Sequence, residues 1–227
     1  MAKKQIFLMH YAGGDCYSYR FLTPFLHDTE VHTLELSGRG RRINEPLQSN
    51  FKDVIEDTLK QIRKLLSAPS VTLYGHSLGG LLAFNVAAAL EKEYKGSMKL
   101  VISGNAGPFV TRETSWHTLS SENLISKLRT LGGTPDVILD DPGMFGFYEL
   151  IIRSDFRVAH EMASWGQEKI NTPIYCLMGS QEEHAGRIDN WANYTTGNFR
   201  YQLVPGGHFF IYNYPKLIAQ HLLSDQV

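Results

Sequence analysis

Apolar residues along this chain fall into two alternating kinds of run. Short blocks rich in β-branched and aromatic residues cover Ile6 to His10, Glu30 to Leu36, Val71 to Tyr74, Met98 to Gly104, Ile174 to Gly179 and Phe199 to Val204. Blocks of this length bounded by Gly, Pro, Asn or Asp read as strands. Helical patterns separate them. Phe51, Val54, Ile55, Leu59, Ile62, Leu65 and Leu66 recur at helical spacing and predict a helix over 51–66. Leu81 to Leu90 is apolar, Ala-rich and free of Gly and Pro, which predicts a buried helix. Tyr17, Phe21, Phe25 and Leu26 predict a helix over 17–27 despite Pro24, and Leu217 to Leu223 closes the chain with another. Alternating β and α units of this kind build a mostly parallel sheet with helices on both faces.

The pattern changes between Asn105 and Trp165. Pro108, the stretch from Ser115 to Ser121, Gly132-Gly133 and Pro142-Gly143 break the chain into short helical pieces. Ser120 to Asn123 can cap one piece that runs to Leu131. A second starts at Tyr148 and continues through Asp155 and Phe156 towards Met162. The expected organisation is one domain over 1–227 with a helical insertion at about 109–166. Such an insertion either closes over a pocket as a lid or packs plainly on the sheet, and both readings stay open.

Composition narrows the function class. Apolar residues make up 43% of the 227 residues and charged residues 20%, as in an ordinary globular domain with a sizeable core. A net charge of −1 gives no electrostatic case for nucleic acid or for an anionic membrane. Cys16 and Cys176 lie far apart and suggest neither a disulfide framework nor a metal site. No apolar run approaches the roughly 20 residues that span a bilayer, and Met1 to Gln5 holds no apolar signal region. The expected setting is cytoplasmic, with no membrane.

Chemistry concentrates at Gly75-x-Ser77-x-Gly79, between the strand at 71–74 and the helix at 81–90. The pattern resembles the nucleophile elbow of α/β-hydrolases, in which a strained turn lifts a serine out of a strand-to-helix junction; a glycine-rich turn with an idle serine is the plain alternative. Gly75 and Gly79, two positions to either side of Ser77, lack Cβ atoms so that strand and helix can approach closely. The helix N-terminus directs N–H groups at a developing oxyanion. In this fold one oxyanion donor is the residue after the nucleophile, here Leu78, and the other comes from an early loop after a strand. Ala12, in Tyr11-Ala12-Gly13-Gly14, is the candidate for the second. Of nine histidines, only His208 lies in a Gly-rich loop after the last strand, where the order Ser, acid, His places the base. The acid should leave the strand that ends at Gly179. Glu182 is the first choice, Glu183 the next, and Asp189 a more distant option.

Taken together, these residues resemble the type II thioesterases that accompany nonribosomal peptide and polyketide synthases. The resemblance spans nearly the whole chain. His10 to Gly14 is similar to their P-[FYH]-A-G-G loop, and Glu35 to Arg42 to their P-G-R-x-x-R segment. Gly75 to Gly80 resembles their G-H-S-[ML]-G-[AG] elbow, Arg153 to Phe156 an R-A-D-[FY] signature, and Pro205 to Phe210 their G-G-H-F-[FY] loop. His10 and Ser37 each stand where a proline is common. The family acid is usually Asp, three residues after the strand-ending Gly, a place that Glu182 fills here.

The resemblance implies an α/β-hydrolase fold and hydrolysis of acyl groups from the phosphopantetheine arm of carrier proteins. Nonribosomal peptide, polyketide or fatty acid biosynthesis would be the setting, as in antibiotic and other secondary metabolism. It implies a catalytic set of Ser77, His208 and Glu182, an oxyanion hole of Ala12 and Leu78, no cofactor or metal, acyl or peptidyl carrier domains as partners, and a monomer. Arg39, Arg41 and Arg42 would present a basic surface to an acidic carrier; paired or solvated arginines are the plain alternative. A small-molecule carboxylesterase or lipase with the same triad, or a catalytically silent protein that docks on a synthase, remain as rival readings.

Overall fold

Six strands carry the structure, seen in a computed structural model that describes residues 4–110, 115–165 and 168–224. They are β1 (Gln5–Met9), β2 (Glu30–Thr33), β3 (Ser70–His76), β4 (Ser97–Ser103), β5 (Ile174–Gly179) and β6 (Phe199–Val204). They form one sheet in the order β2-β1-β3-β4-β5-β6, and each of the five pairings is parallel. The helices are α1 (Phe51–Leu65), α2 (Leu78–Leu90), α3 (Ser121–Leu131), α4 (Asp136–Asp140), α5 (Pro142–Ala163) and α6 (Pro215–Leu223).

A parallel sheet covered on both faces needs strands that are apolar at every position, because successive side chains point to opposite sides. Phe7, Met9, Leu73, Leu100, Ile102, Cys176 and Met178 enter the core shared with α1, α2 and α5. Ile6, Leu8, Tyr74, Val101 and Leu177 alternate with them into the opposite core, against Leu22, Phe210 and α6. Leu124, Leu128, Leu139, Phe145 and Ile152 bury a smaller cluster of their own within α3, α4 and α5. The stretch between β4 and β5 therefore holds helices with a local core. Part of the expected insertion, 111–114 and 166, lies outside the described residues, as do Met1 to Lys3 of the expected N-terminal reading.

Two helix expectations change. The predicted helix over 17–27 shrinks to a 3₁₀ segment at Arg20–Phe25, because Pro24 sits inside it and has no N–H to donate. Pro142-Gly143 begins a helix instead of interrupting one. Asp141 caps it by accepting the Met144 N–H at 2.7 Å, and Pro142 occupies the first turn, where a missing N–H costs nothing. The helix predicted from Tyr148 thus starts six residues earlier. Ser120 caps α3 as expected, accepting the Asn123 N–H.

The junction of β3 and α2 is packed backbone on backbone. A Cβ at Gly75 would collide with the Gly79 carbonyl, and one at Gly79 with the carbonyl of Met9 in β1. Gly79→Ala is therefore expected to destabilise the fold by about 2 kcal/mol or more, the scale of overpacking where the neighbour is backbone. A urea midpoint within error of the parent protein would contradict this packing.

Candidate active site

Ser77 links the last residue of β3 to the first of α2 with φ +57° and ψ −117°. A non-glycine residue rarely adopts that backbone, and holding it there costs about 1–3 kcal/mol. Neighbouring bonds keep it in place. The Ser77 N–H donates to Ser103 O at 2.8 Å, the Gly80 N–H to Ser77 O at 3.0 Å, and Asn105 Nδ2 to Ser77 O at 3.2 Å. Tyr19 supports the strand end, accepting the His76 N–H and donating its own hydroxyl to Met9 O.

Two loops at the carboxyl ends of β5 and β6 meet Ser77. They are stitched together, since Ser180 N–H donates to Val204 O at 2.8 Å and Gln181 N–H to Gly206 O at 3.0 Å. His208 leaves the β6 loop, and its Nδ1 lies 2.6 Å from Glu182 Oε2. A carboxylate only accepts, so Nδ1 carries the proton and Nε2 is left as the acceptor. The other oxygen, Glu182 Oε1, accepts the Gly179 N–H at 3.0 Å. The extra methylene of Glu relative to Asp is thus accommodated by folding the side chain back over the end of its own strand. Both groups are nearly buried, with side chains 6% and 9% exposed. Glu183 is exposed and lines the same cavity, and Asp189 is exposed within a 3₁₀ segment at Ala185–Tyr194.

Ser77, Leu78, Glu182 and His208 line one cavity of about 150 Å³. Its apolar wall comes from Leu81, Val110, Trp116, Phe156, Ala159 and Met178. A smaller cleft of about 20 Å³ adjoins it, lined by Ala12, Ser77, His208, Tyr148 and Phe209 among others. Leu78 opens α2, so its N–H belongs to the first turn, where helix donors have no intrahelical acceptor. In the Ala12 loop, the Gly14 N–H donates to Tyr11 O at 2.9 Å and the Gly13 N–H to Asp155 Oδ2 at 2.7 Å. The structure thus brings together all five residues singled out from the sequence.

Several neighbours were not legible as partners. His76 donates or accepts through Nδ1 to Ser103 Oγ at 2.9 Å, which in turn meets the Tyr74 hydroxyl, and its ring lies 4.7 Å from that of His208. Arg39 is buried in a two-armed ion pair with Asp155, 116 residues away in sequence. Arg42 is held by Glu45 and Asp57, which leaves Arg41 as the exposed member of the arginine group. The expected basic docking face is therefore reduced to one side chain, and internal pairing accounts for the other two.

Among the described residues, no group of three or more His, Cys, Asp or Glu could hold a metal ion, and no helix is long and apolar enough to cross a membrane.

Comparison with known proteins places these features in context. The model of the thioesterase domain family matches residues 4–225. The gramicidin S biosynthesis protein GrsT of Aneurinibacillus migulanus is 30% identical over 216 residues, covering 93% of this chain and 84% of that protein. The solved structure of RedJ, a thioesterase from the prodiginine pathway of Streptomyces coelicolor, superposes with a TM-score of 0.87 at 27% identity, covering 97% of this chain and 89% of that one. BorB, a type II thioesterase from the borrelidin cluster, gives 0.85 at 28% identity over 97% and 93%.

The buried histidines make acid stability testable. Burial, then the charge of Arg39, pushes the pKa of His10 from 6.5 down to about 4. Burial, then His208, holds His76 well below 6.5. Unfolded histidines titrate near 6.5, so below that pH the unfolded chain binds protons that the folded chain refuses. The contribution is complete above that value and is lost as pH falls towards about 4; for His10 alone it is on the order of 3 kcal/mol. The urea midpoint should fall across this interval, and less steeply in His10→Asn. A midpoint that stays level from pH 6.5 to 4 would contradict neutral burial.

Proposed function

Because the chain belongs to the thioesterase domain family, we propose that it releases acyl groups from the phosphopantetheine arm of carrier-protein domains in a nonribosomal peptide or polyketide synthase. Its α/β-hydrolase fold and its likeness to GrsT, RedJ and BorB support this reading. The observation that carries the chemistry is the 2.6 Å contact of His208 Nδ1 with Glu182, beside a serine on a strained elbow.

Ser77 Oγ attacks the thioester carbonyl while His208 Nε2 takes its proton. Glu182 fixes the imidazole tautomer and stabilises the imidazolium that forms. The N–H groups of Ala12 and Leu78 receive the tetrahedral oxyanion, each donor being worth about 10²–10³ in rate. The pantetheine thiol departs with the proton returned by His208. Water then attacks the acyl-enzyme with His208 again as base, and the free acid leaves. The reaction calls on no cofactor of the protein's own, since the pantetheine arrives with the substrate. The helices between β4 and β5 act as a lid whose Trp116 and Phe156 bound the acyl cavity. The working form is a cytoplasmic monomer, and the whole chain is one domain.

The test is turnover of an acyl group on a carrier protein, on a small thiol and as an oxygen ester. Ser77→Ala should reduce kcat by about 10⁴ or more, and Glu182→Gln by about 10²–10⁴, with Glu183→Gln near the parent. A larger loss in Glu183→Gln than in Glu182→Gln would move the acid. Oxygen esters hydrolysed as efficiently as carrier thioesters would make the protein a general esterase, and near-parent turnover by Ser77→Ala would remove the mechanism.

A further inference from the structure

Asp155 sits in the middle of α5 and is 2% exposed, yet it reaches across to the loop after β1. Its Oδ1 accepts Arg39 Nη2 at 2.7 Å, and its Oδ2 accepts both Arg39 Nη1 at 2.5 Å and the Gly13 N–H at 2.7 Å. Arg39 Nη1 also lies 3.4 Å from Gly14 O. The turn between has its own constraints. Tyr11 O accepts the Gly14 N–H at 2.9 Å and meets His10 Nδ1 at 3.0 Å. Gly13 stands at φ +75°, where a side chain is strained.

Peptide geometry turns these contacts into a direction. In a trans peptide, C=O and N–H point to opposite edges of one plane. Two donors on Tyr11 O therefore aim the Ala12 N–H the other way, and Ala12 borders the cleft that also holds Ser77 and His208. The bond from Gly13 to Asp155 fixes the next peptide plane. Among the described residues, the Ala12 N–H meets no intramolecular acceptor, while the two N–H groups after it are engaged.

Stability does not by itself explain a buried Arg–Asp pair, because well-packed apolar replacements are often neutral or stabilising. We infer that Asp155, charged and oriented by Arg39, is a positioning residue that holds the Ala12–Gly13 peptide so that the Ala12 N–H is aimed at the oxyanion before substrate arrives. Helix α5 is then a fixed strut for the catalytic loop, as well as the source of Phe156 in the cavity wall. This rests on the reading of Ala12 as an oxyanion donor.

The experiment compares Asp155→Ala, Asp155→Asn and the double variant Arg39→Met/Asp155→Leu on a small acyl thioester, with rates normalised to titrated active sites. A trifluoromethyl ketone, which forms an oxyanion on Ser77, and a non-hydrolysable thioether analogue of the substrate are bound in parallel. The expected result is a loss of about 100-fold in kcat with KM within about twofold, on the scale of one misplaced oxyanion donor. Ketone affinity falls with kcat while thioether affinity holds, and Asp155→Asn, which can still accept from Gly13, loses less. The double variant removes the charges together, so it should fold with a Tm at or above the parent while still losing kcat. A double variant that keeps the parent kcat per site and the parent ketone affinity would overturn the inference. If Ser77→Ala abolishes turnover in the same assay, that failure belongs to Asp155 alone. If Ser77→Ala retains turnover, the proposed mechanism itself is wrong.

Discussion

The positive φ of Ser77 is the constraint on which the rest depends. A serine in that conformation is unfavourable by itself and persists only where surrounding structure over-determines it. The sheet supplies that structure. β3 lies between β1 and β4, so the elbow is gripped from both sides: Gly79 lies against the Met9 carbonyl on one side, and Ser103 O takes the Ser77 N–H on the other. Tyr19, buried beneath, ties the two strand ends together through one hydroxyl. The strain is thus spread over a rigid parallel core, and α2 begins immediately after the serine, with Leu78 as its first residue.

A second set of buried polar groups surrounds the neighbouring loop. Glu35, 3% exposed, accepts the N–H groups of Cys16 and Arg41, while Asp155 takes Arg39 and Gly13. His10 stays neutral beside them, because burial and Arg39 both disfavour its protonation. Buried groups of this kind are costly unless paired, and here the pairings converge on loop backbone. They make the loop from His10 to Cys16 a defined surface instead of a flexible connection. Near His208 the same logic applies, since His76 is held neutral and brings no competing charge against its ring.

Much of this architecture was readable along the chain. Short β-branched and aromatic blocks located all six strands, and β5 and β6 match their predicted bounds: β5, buried along most of its length, is an unmixed apolar run, whereas β6 at the sheet edge is largely exposed and alternates apolar with polar residues. That Ser77, Glu182 and His208 meet at one cavity was foreseeable, because the glycines and strand context around each are local in sequence. The polar pairings were not. Arg39 and Asp155 are 116 residues apart, and nothing in either neighbourhood announces the other. A glycine-rich loop with three arginines looks like an anion site until folding reveals the carboxylates that take two of them. The segment over 17–27 misled because aromatic residues packing on the sheet mimic helical spacing even where Pro24 permits only a 3₁₀ segment.

The proposed site therefore joins a serine on a strained elbow, an imidazole held by Glu182 and a loop backbone held by Asp155. Its central claim is that acyl groups pass covalently through Ser77. The most direct measurement is mass spectrometry of enzyme quenched during turnover of an acyl thioester, followed by peptide mapping. The account predicts an increment equal to the acyl group, confined to the peptide containing Ser77 and absent after the substrate is exhausted. An acyl group found on another residue, or rapid hydrolysis with no covalent adduct under conditions where deacylation limits the rate, would contradict it.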